Sequence, residues 1–185
     1  MVDRINVLLY DYSNKGGMMI AYILIVFGFL MRLVPHVHNF VPIAAIALFS
    51  GAYLNRRIVP WVPLAIMIAS DLIIGLHNVV FYTWGSFVLI GFIGMWMKER
   101  RTPANIFLAT VLSAVLFFII TNFGVWVAWY PHTWEGLSFC YVSAIPFFRN
   151  TLLGNLFFAL VLFGSYELAK KIVGQTRFRA VLLTD

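Results

Sequence analysis

Between Ser113 and Asn155 the chain reads SAVLFFIITNFGVWVAWYPHTWEGLSFCYVSAIPFFRNTLLGN, and this stretch constrains the fold more than any other. An apolar run too long for the core helix of a soluble domain passes straight into a segment dense in Trp, Tyr and Phe. That segment holds His132, Glu135 and the chain's one cysteine, Cys140, before a second apolar run begins through Pro146 and Arg149. The pattern predicts two membrane spans joined by a chemically rich loop.

Composition extends the reading to the whole chain. Of 185 residues, 62% are hydrophobic and only 11% charged, and the mean hydropathy is +0.91. Soluble domains do not look like this. A helix crossing a ~30 Å hydrocarbon core needs about 20 mostly apolar residues, so with short loops the chain has room for about six crossings and for no sizeable soluble domain. The net charge of +6 does not point to nucleic acid, because the basic residues sit singly or in small groups at the ends of apolar runs. One cysteine excludes an intrachain disulfide, and its surroundings match no zinc-ligand spacing. The N-terminal MVDRINVLLYDYSNKGG offers no small-residue cleavage site after a short apolar core, so no removed signal peptide is expected.

Punctuation in the sequence sets the expected spans. The first runs over 18–34, after Gly16-Gly17, and is closed by Pro35; the second, short and rich in small residues, over 42–54; the third over 61–76; the fourth over 82–97, stopped by Lys98-Glu99-Arg100-Arg101. A fifth and longest covers 104–127, and a sixth starts near Pro146 and runs to about 168. This gives an N-terminal segment 1–17, a transmembrane domain 18–169 with loops at 35–41, 77–82 and 128–146, and a basic tail 170–185.

Loop charge orients the spans. With the termini and the loops at Asn55–Arg57 and Lys98–Arg101 on one side, that side holds Arg4, Lys15, Arg56, Arg57, Lys98, Arg100, Arg101, Lys170, Lys171, Arg177 and Arg179, which is 11 of the 13 basic residues. Only Arg32 and Arg149 fall near the other. The expectation is an all-α membrane protein, a compact bundle of six transmembrane helices with both termini cytoplasmic.

On the opposite, outer side gather Arg32, His36, His38, Asn39, His77, Trp129, Tyr130, His132, Trp134, Cys140, Tyr141, Arg149 and Asn150, with Asn122 and Trp126 in the run leading there. Ionisable groups in or near a bilayer are costly and face a cavity, a partner group or the interface. One pocket built from three outer loops would account for them; an interfacial belt of Trp and Tyr, with scaffold histidines, is the competing reading. Asp71, embedded in IMIASDLIIG, must be neutralised, paired or solvated, with Arg32 or Arg149 as partner, either as a binding group or as an ion pair that locks helices. Asn122 and Asn155 are placed to bridge helices by hydrogen bonds. Ala44, Ala47 and Gly51 form a small-residue face for close approach of another helix or a partner protein. No GxSxG, HExxH, Walker-type loop or catalytic carboxylate pair occurs. An enzyme is not expected, and the one arrangement to weigh is Cys140 with His132 and Glu135.

The blocks RLVPHVHNFVPIAAIALFSGAY, IASDLIIG, FFIITNFGVWVAWYP and GLSFCYVSAIPFFRNTLLGNLFF, in this order between Arg32 and Tyr166, resemble an uncharacterised family of small bacterial membrane proteins related to the S components of energy-coupling factor transporters. The resemblance implies a six-helix bundle in the bacterial cytoplasmic membrane that binds a vitamin or similar micronutrient near its outer surface. It also implies a transmembrane coupling protein and ATPases as partners beside the lipid bilayer. The chain departs from S components in one respect: the first helix offers only Ala21 and Gly28 as small residues for docking, which leaves a solitary protein open. No resident cofactor is expected; a metal-bearing cargo such as cobalamin would use His or Cys as ligands. The second functional class to weigh is a structural or assembly subunit that packs through the Ala47/Gly51 face.

Overall fold

The computed structural model describes residues 2–34, 39–76 and 78–175, with side chains described over 16–34, 39–76 and 78–172. His36, His38 and His77 therefore lie outside the described residues, as do Arg177 and Arg179 of the tail. Within the described residues the fold is entirely helical: α1 (Val2–Leu33), α2 (Ile43–Tyr53), α3 (Trp61–Ile74), α4 (Val80–Met97), α5 (Pro103–Trp129) and α6 (Trp134–Gln175). Four stretches are long and apolar enough to cross a bilayer: Gly16–Leu33, Val80–Met97, Pro103–Trp129 and Trp134–Ile172. The chain is a helical, multi-pass membrane protein.

α2 sits at the centre. It carries no charge, and every residue from Ile43 to Ala52 is buried, as expected of a helix that is apolar all round. Gly51 lies so close to Gly91, Gly94 and Met95 of α4 that an added Cβ would strike backbone, and a Cβ on Gly94 would strike the Leu48 carbonyl. Phe49 meets Phe163 and Tyr166 of α6 edge-on, with ring centroids 5.3 and 5.5 Å apart. The small-residue face of Ala44, Ala47 and Gly51 is buried inside the chain, and of the two occupants expected for it, another helix or a partner protein, it meets a helix: α2 and α4 come into backbone contact there.

At 1.5 Å per residue the 11-residue α2 is only about 16 Å long, roughly half of a ~30 Å hydrocarbon layer. Its C-terminal carbonyls are taken up by basic side chains from the α4–α5 connection: Lys98 Nζ donates to Leu54 O at 2.8 Å and Arg101 to Ala52 O at 3.3 Å. A cation at this end also complements the helix dipole. Burial first, then the nearby Arg56 and Arg101, pulls the Lys98 ammonium below its usual pKa range. α3 is also short, 14 residues ending at Ile74 and capped by Gly75, whose φ of 114° suits glycine.

The largest departure from the sequence reading lies between α5 and α6. The expected loop 128–146 shrinks to four residues, Tyr130 to Thr133, and α6 runs from Trp134 straight through Pro146. Thr133 starts the helix by accepting from Gly136 N at 3.1 Å, and Glu135 lies in the first turn where the dipole favours an acid. Proline inside a helix costs one hydrogen bond and bends the axis, but in a membrane span that deficit is met by neighbouring groups.

Polar residues that fall on inward faces satisfy themselves locally. Ser70, Thr110 and Ser113 each donate to the carbonyl four residues back, and Ser86 to the one three back, all at 2.7 Å. This keeps hydroxyl donors from being stranded in a low-dielectric core.

Candidate functional site

Because α2 stops halfway, the bundle is filled at the Lys98 end and hollow at the other. The hollow is a cavity of about 510 Å³ lined by Arg32 of α1, Asn39 and Val41 from the α1–α2 connection, Met67 of α3, Thr83 and Phe87 of α4, residues from Phe117 to Val125 of α5, Tyr130 just beyond it, and residues from Cys140 to Thr151 of α6. No residue of α2 lines it. Asn39, with φ 63°, makes the left-handed turn that brings the chain down to the start of α2.

One wall is an ion pair. Arg32 NH2 lies 2.6 Å from Asp71 Oδ1, the side chains being 12% and 2% exposed, and Arg32 NH1 also contacts the Met67 sulfur. The second carboxylate oxygen accepts from Trp84 Nε1 at 2.9 Å. Asp71 is therefore held on both oxygens, from α1 and from α4, behind the cavity wall. Of the two partners weighed for it, Arg32 is the one the fold supplies, while Arg149 is exposed and lines no part of the cavity. Arg32 keeps further N–H groups beyond its two contacts, since a guanidinium carries five.

The rest of the lining is aromatic with sparse polar groups. Phe87 stacks on Phe117 with centroids 5.0 Å apart, and Phe118 packs against Phe148 at 4.9 Å and Tyr141 at 5.5 Å. Thr83, Thr121 and Thr151 turn their hydroxyl hydrogens to backbone carbonyls four residues earlier. Asn122 likewise donates to Phe118 O at 2.8 Å. What these groups present inward is acceptor capacity in an apolar setting, and no Asp or Glu lines the cavity.

Of the residues expected at an outer pocket, Arg32, Asn39, Asn122, Tyr130 and Cys140 meet here. Trp126, His132, Trp134 and Tyr141 instead line a separate crevice of about 700 Å³ at the α5–α6 turn. There His132 Nε2 sits 3.2 Å from Val127 O and edge-on to Trp126, and Trp126 Nε1 donates to Pro131 O at 2.9 Å. Trp129 and Trp134 are exposed, as belt residues are. Arg149 and Asn150 line neither space. Among the described residues, those expected at one outer pocket are thus divided between two spaces, the first turns of α6 lining the crevice and its later turns the cavity.

Cys140 lines the cavity and His132 the crevice, while Glu135 lines neither. Among the described residues no group of three or more His, Cys, Asp or Glu could hold a metal ion. The lining residues that the sequence reading missed are mostly phenylalanines and hydroxyl residues inside apolar runs: Phe87, Phe117, Phe118, Thr121, Phe147, Phe148 and Thr151. The doublets Phe117-Phe118 and Phe147-Phe148 were the available signal, and all four rings line the cavity.

A family described as one of unknown function, DUF6580, matches residues 13–178. No curated protein and no solved structure matches the chain.

Proposed function

We propose, from the premise that this chain belongs to the DUF6580 family of unknown function, that it is a membrane-embedded binding protein for uptake of a vitamin-like small molecule. The observation that carries the reading is the cavity above the truncated central helix. Its volume of about 510 Å³ falls in the range of small-molecule sites, roughly 300–1,000 Å³, and its lining has the character of one, aromatic walls with a few placed polar groups. Such a hollow is costly in a membrane protein unless something fills it, since its lining forgoes packing contacts.

In this reading the cavity opens outward and the termini are cytoplasmic, as the basic residues at the Lys98 end favour. α2 and α3 then count as the second and third of six membrane segments, half-length pieces packed inside a frame of four long helices. Planar cargo would lie against Phe87, Phe117 and Phe118, with Arg32 and Asn39 orienting its polar edge. Ala21 and Gly28 of α1 are both buried, Gly28 against Ile46, so neither is on offer to a coupling protein. That supports a protein acting alone over one docked to a shared energising module. The alternative, an assembly subunit, loses the face it relied on.

Native mass spectrometry of protein purified in mild detergent tests the reading. A discrete small-molecule mass retained on the folded chain and lost on unfolding is the expected result. A chain that is bare in every preparation, and whose deletion alters growth on no limiting micronutrient, would overturn it.

A further inference from the structure

We infer that the cargo is an uncharged aromatic or heteroaromatic molecule with N–H or O–H groups along its edge, which rests on the binding role proposed above and adds the chemistry of what is bound. Thr83, Thr121, Asn122 and Thr151 select it by accepting those hydrogens.

The direction in which the lining spends its own hydrogens sets the polarity of the site. A threonine hydroxyl has one hydrogen to give and two lone pairs to offer. Thr83 of α4 gives its hydrogen to Val79 O at 3.2 Å, Thr121 of α5 to Phe117 O at 2.7 Å, and Thr151 of α6 to Phe147 O at 3.1 Å. All three line the cavity, and each has only lone pairs left for whatever fills it. Asn122, beside Thr121 in the lining, commits an amide hydrogen to Phe118 O at 2.8 Å, and its amide oxygen remains an acceptor. Even the Cys140 thiol is turned to a carbonyl, that of Asn122, at 3.5 Å. Acceptor oxygens are thus contributed by three helices. The other hydroxyls of the lining, on Tyr130 and Ser143, can give or accept and discriminate less.

Charge is disfavoured by the same lining. Its one ionised residue is Arg32, already answered by Asp71 at 2.6 Å. An anion drawn to that guanidinium would also feel the Asp71 carboxylate, across surroundings too apolar to screen the repulsion. A cation would meet Arg32 and would find no Asp or Glu in the lining to replace its lost hydration. A neutral ring meets neither obstacle. It packs against Phe87 and Phe117, themselves stacked at 5.0 Å, while its edge hydrogens reach the threonine oxygens. An analogue without those hydrogens would desolvate the oxygens and leave them unpaired, so the site discriminates against it.

The test reads the molecule released from wild-type protein and the occupancy of a set of variants. In capillary electrophoresis at neutral pH the released molecule should travel with a neutral marker, and mass spectrometry in D2O should show N–H or O–H hydrogens exchanging. Thr121→Val and Thr151→Val keep the shape and remove the acceptor. Native mass spectrometry should show occupancy falling about tenfold in each, the scale of one buried hydrogen bond left unmade, with unfolding in detergent close to wild type. Thr121→Ser should retain the molecule. So should Thr110→Val, which removes a hydroxyl bonded in the same way to Ile106 O but outside the cavity lining. A released molecule that migrates as an anion or a cation, or that exchanges no hydrogen, would overturn the inference and leave the cavity reading standing, whether or not any variant folds. Full occupancy in both valine variants, or an equal loss in Thr110→Val, would overturn it as well. A wild-type chain that carries nothing removes both readings.

Discussion

Asp71 shows how one residue's meaning depends on where its partners come from. In sequence it is an acid in an apolar run that needs a neutralising group, and two arginines were available. The fold chooses Arg32 and adds Trp84, so that α1, α3 and α4 are tied at one carboxylate. With the pair nearly out of solvent, breaking it from one side is expected to cost far more than removing it whole. Asp71→Leu alone should destabilise by about 3–5 kcal/mol, since it leaves a buried guanidinium unpaired, and Arg32→Met with Asp71→Leu should recover most of that loss. A double-mutant cycle measured by thermal or denaturant unfolding in detergent checks this; equal losses in the single and double variants would mean the pair does not act as a unit.

At the scale of elements, α2 decides the architecture through glycine. The two helices touch where Gly51 meets Gly91 and Gly94, and the atoms in the way of a Cβ are backbone, which cannot move aside as a side chain does. Gly94→Ala should therefore cost about 1–3 kcal/mol by overpacking. Gly85, on the same helix with nothing within 4 Å, is the control: Gly85→Ala should be neutral or stabilise by up to ~1 kcal/mol through the helix preference of alanine. Comparing the two unfolding temperatures tests whether close approach, and not glycine itself, is what α4 requires. Equal responses would refute the account. The same element explains the cavity, because a central helix of half length leaves the other half of the bundle to be lined by Phe87, Phe117, Phe118 and Phe148.

For the whole molecule the open quantity is orientation. Four long apolar helices frame the bundle, and the connections at Arg56-Arg57 and Lys98–Arg101 lie at the opposite end from the α5–α6 turn. In a Cys140→Ser background, Arg57→Cys should react with an impermeant thiol reagent only from the cytoplasmic side and Thr133→Cys only from outside. Labelling of both from one side would overturn the arrangement, and labelling of each from the reverse side would place the cavity mouth in the cytoplasm.

Membership of the membrane class, the helical content and, apart from the start of the last helix, the positions of the long segments were legible in the sequence, because hydrocarbon imposes length and apolarity residue by residue and charge marks the ends. The candidate site was legible only in part. Arg32, Asn39, Asn122, Tyr130 and Cys140 announced themselves as polar or reactive groups near one end, whereas the phenylalanines that make the walls look the same in sequence whether they face lipid, a neighbouring helix or a cavity. Pro146 read as the end of a loop because local propensity counts a lost hydrogen bond, whereas the helix runs through it, as membrane helices tolerate. Which space His132 and Cys140 each enter, which arginine answers Asp71, and that Asn155 keeps a buried unpaired donor all depend on the register between helices. Register is set by close backbone approach at a few glycines and by how far α2 reaches, and those are properties of the assembled bundle.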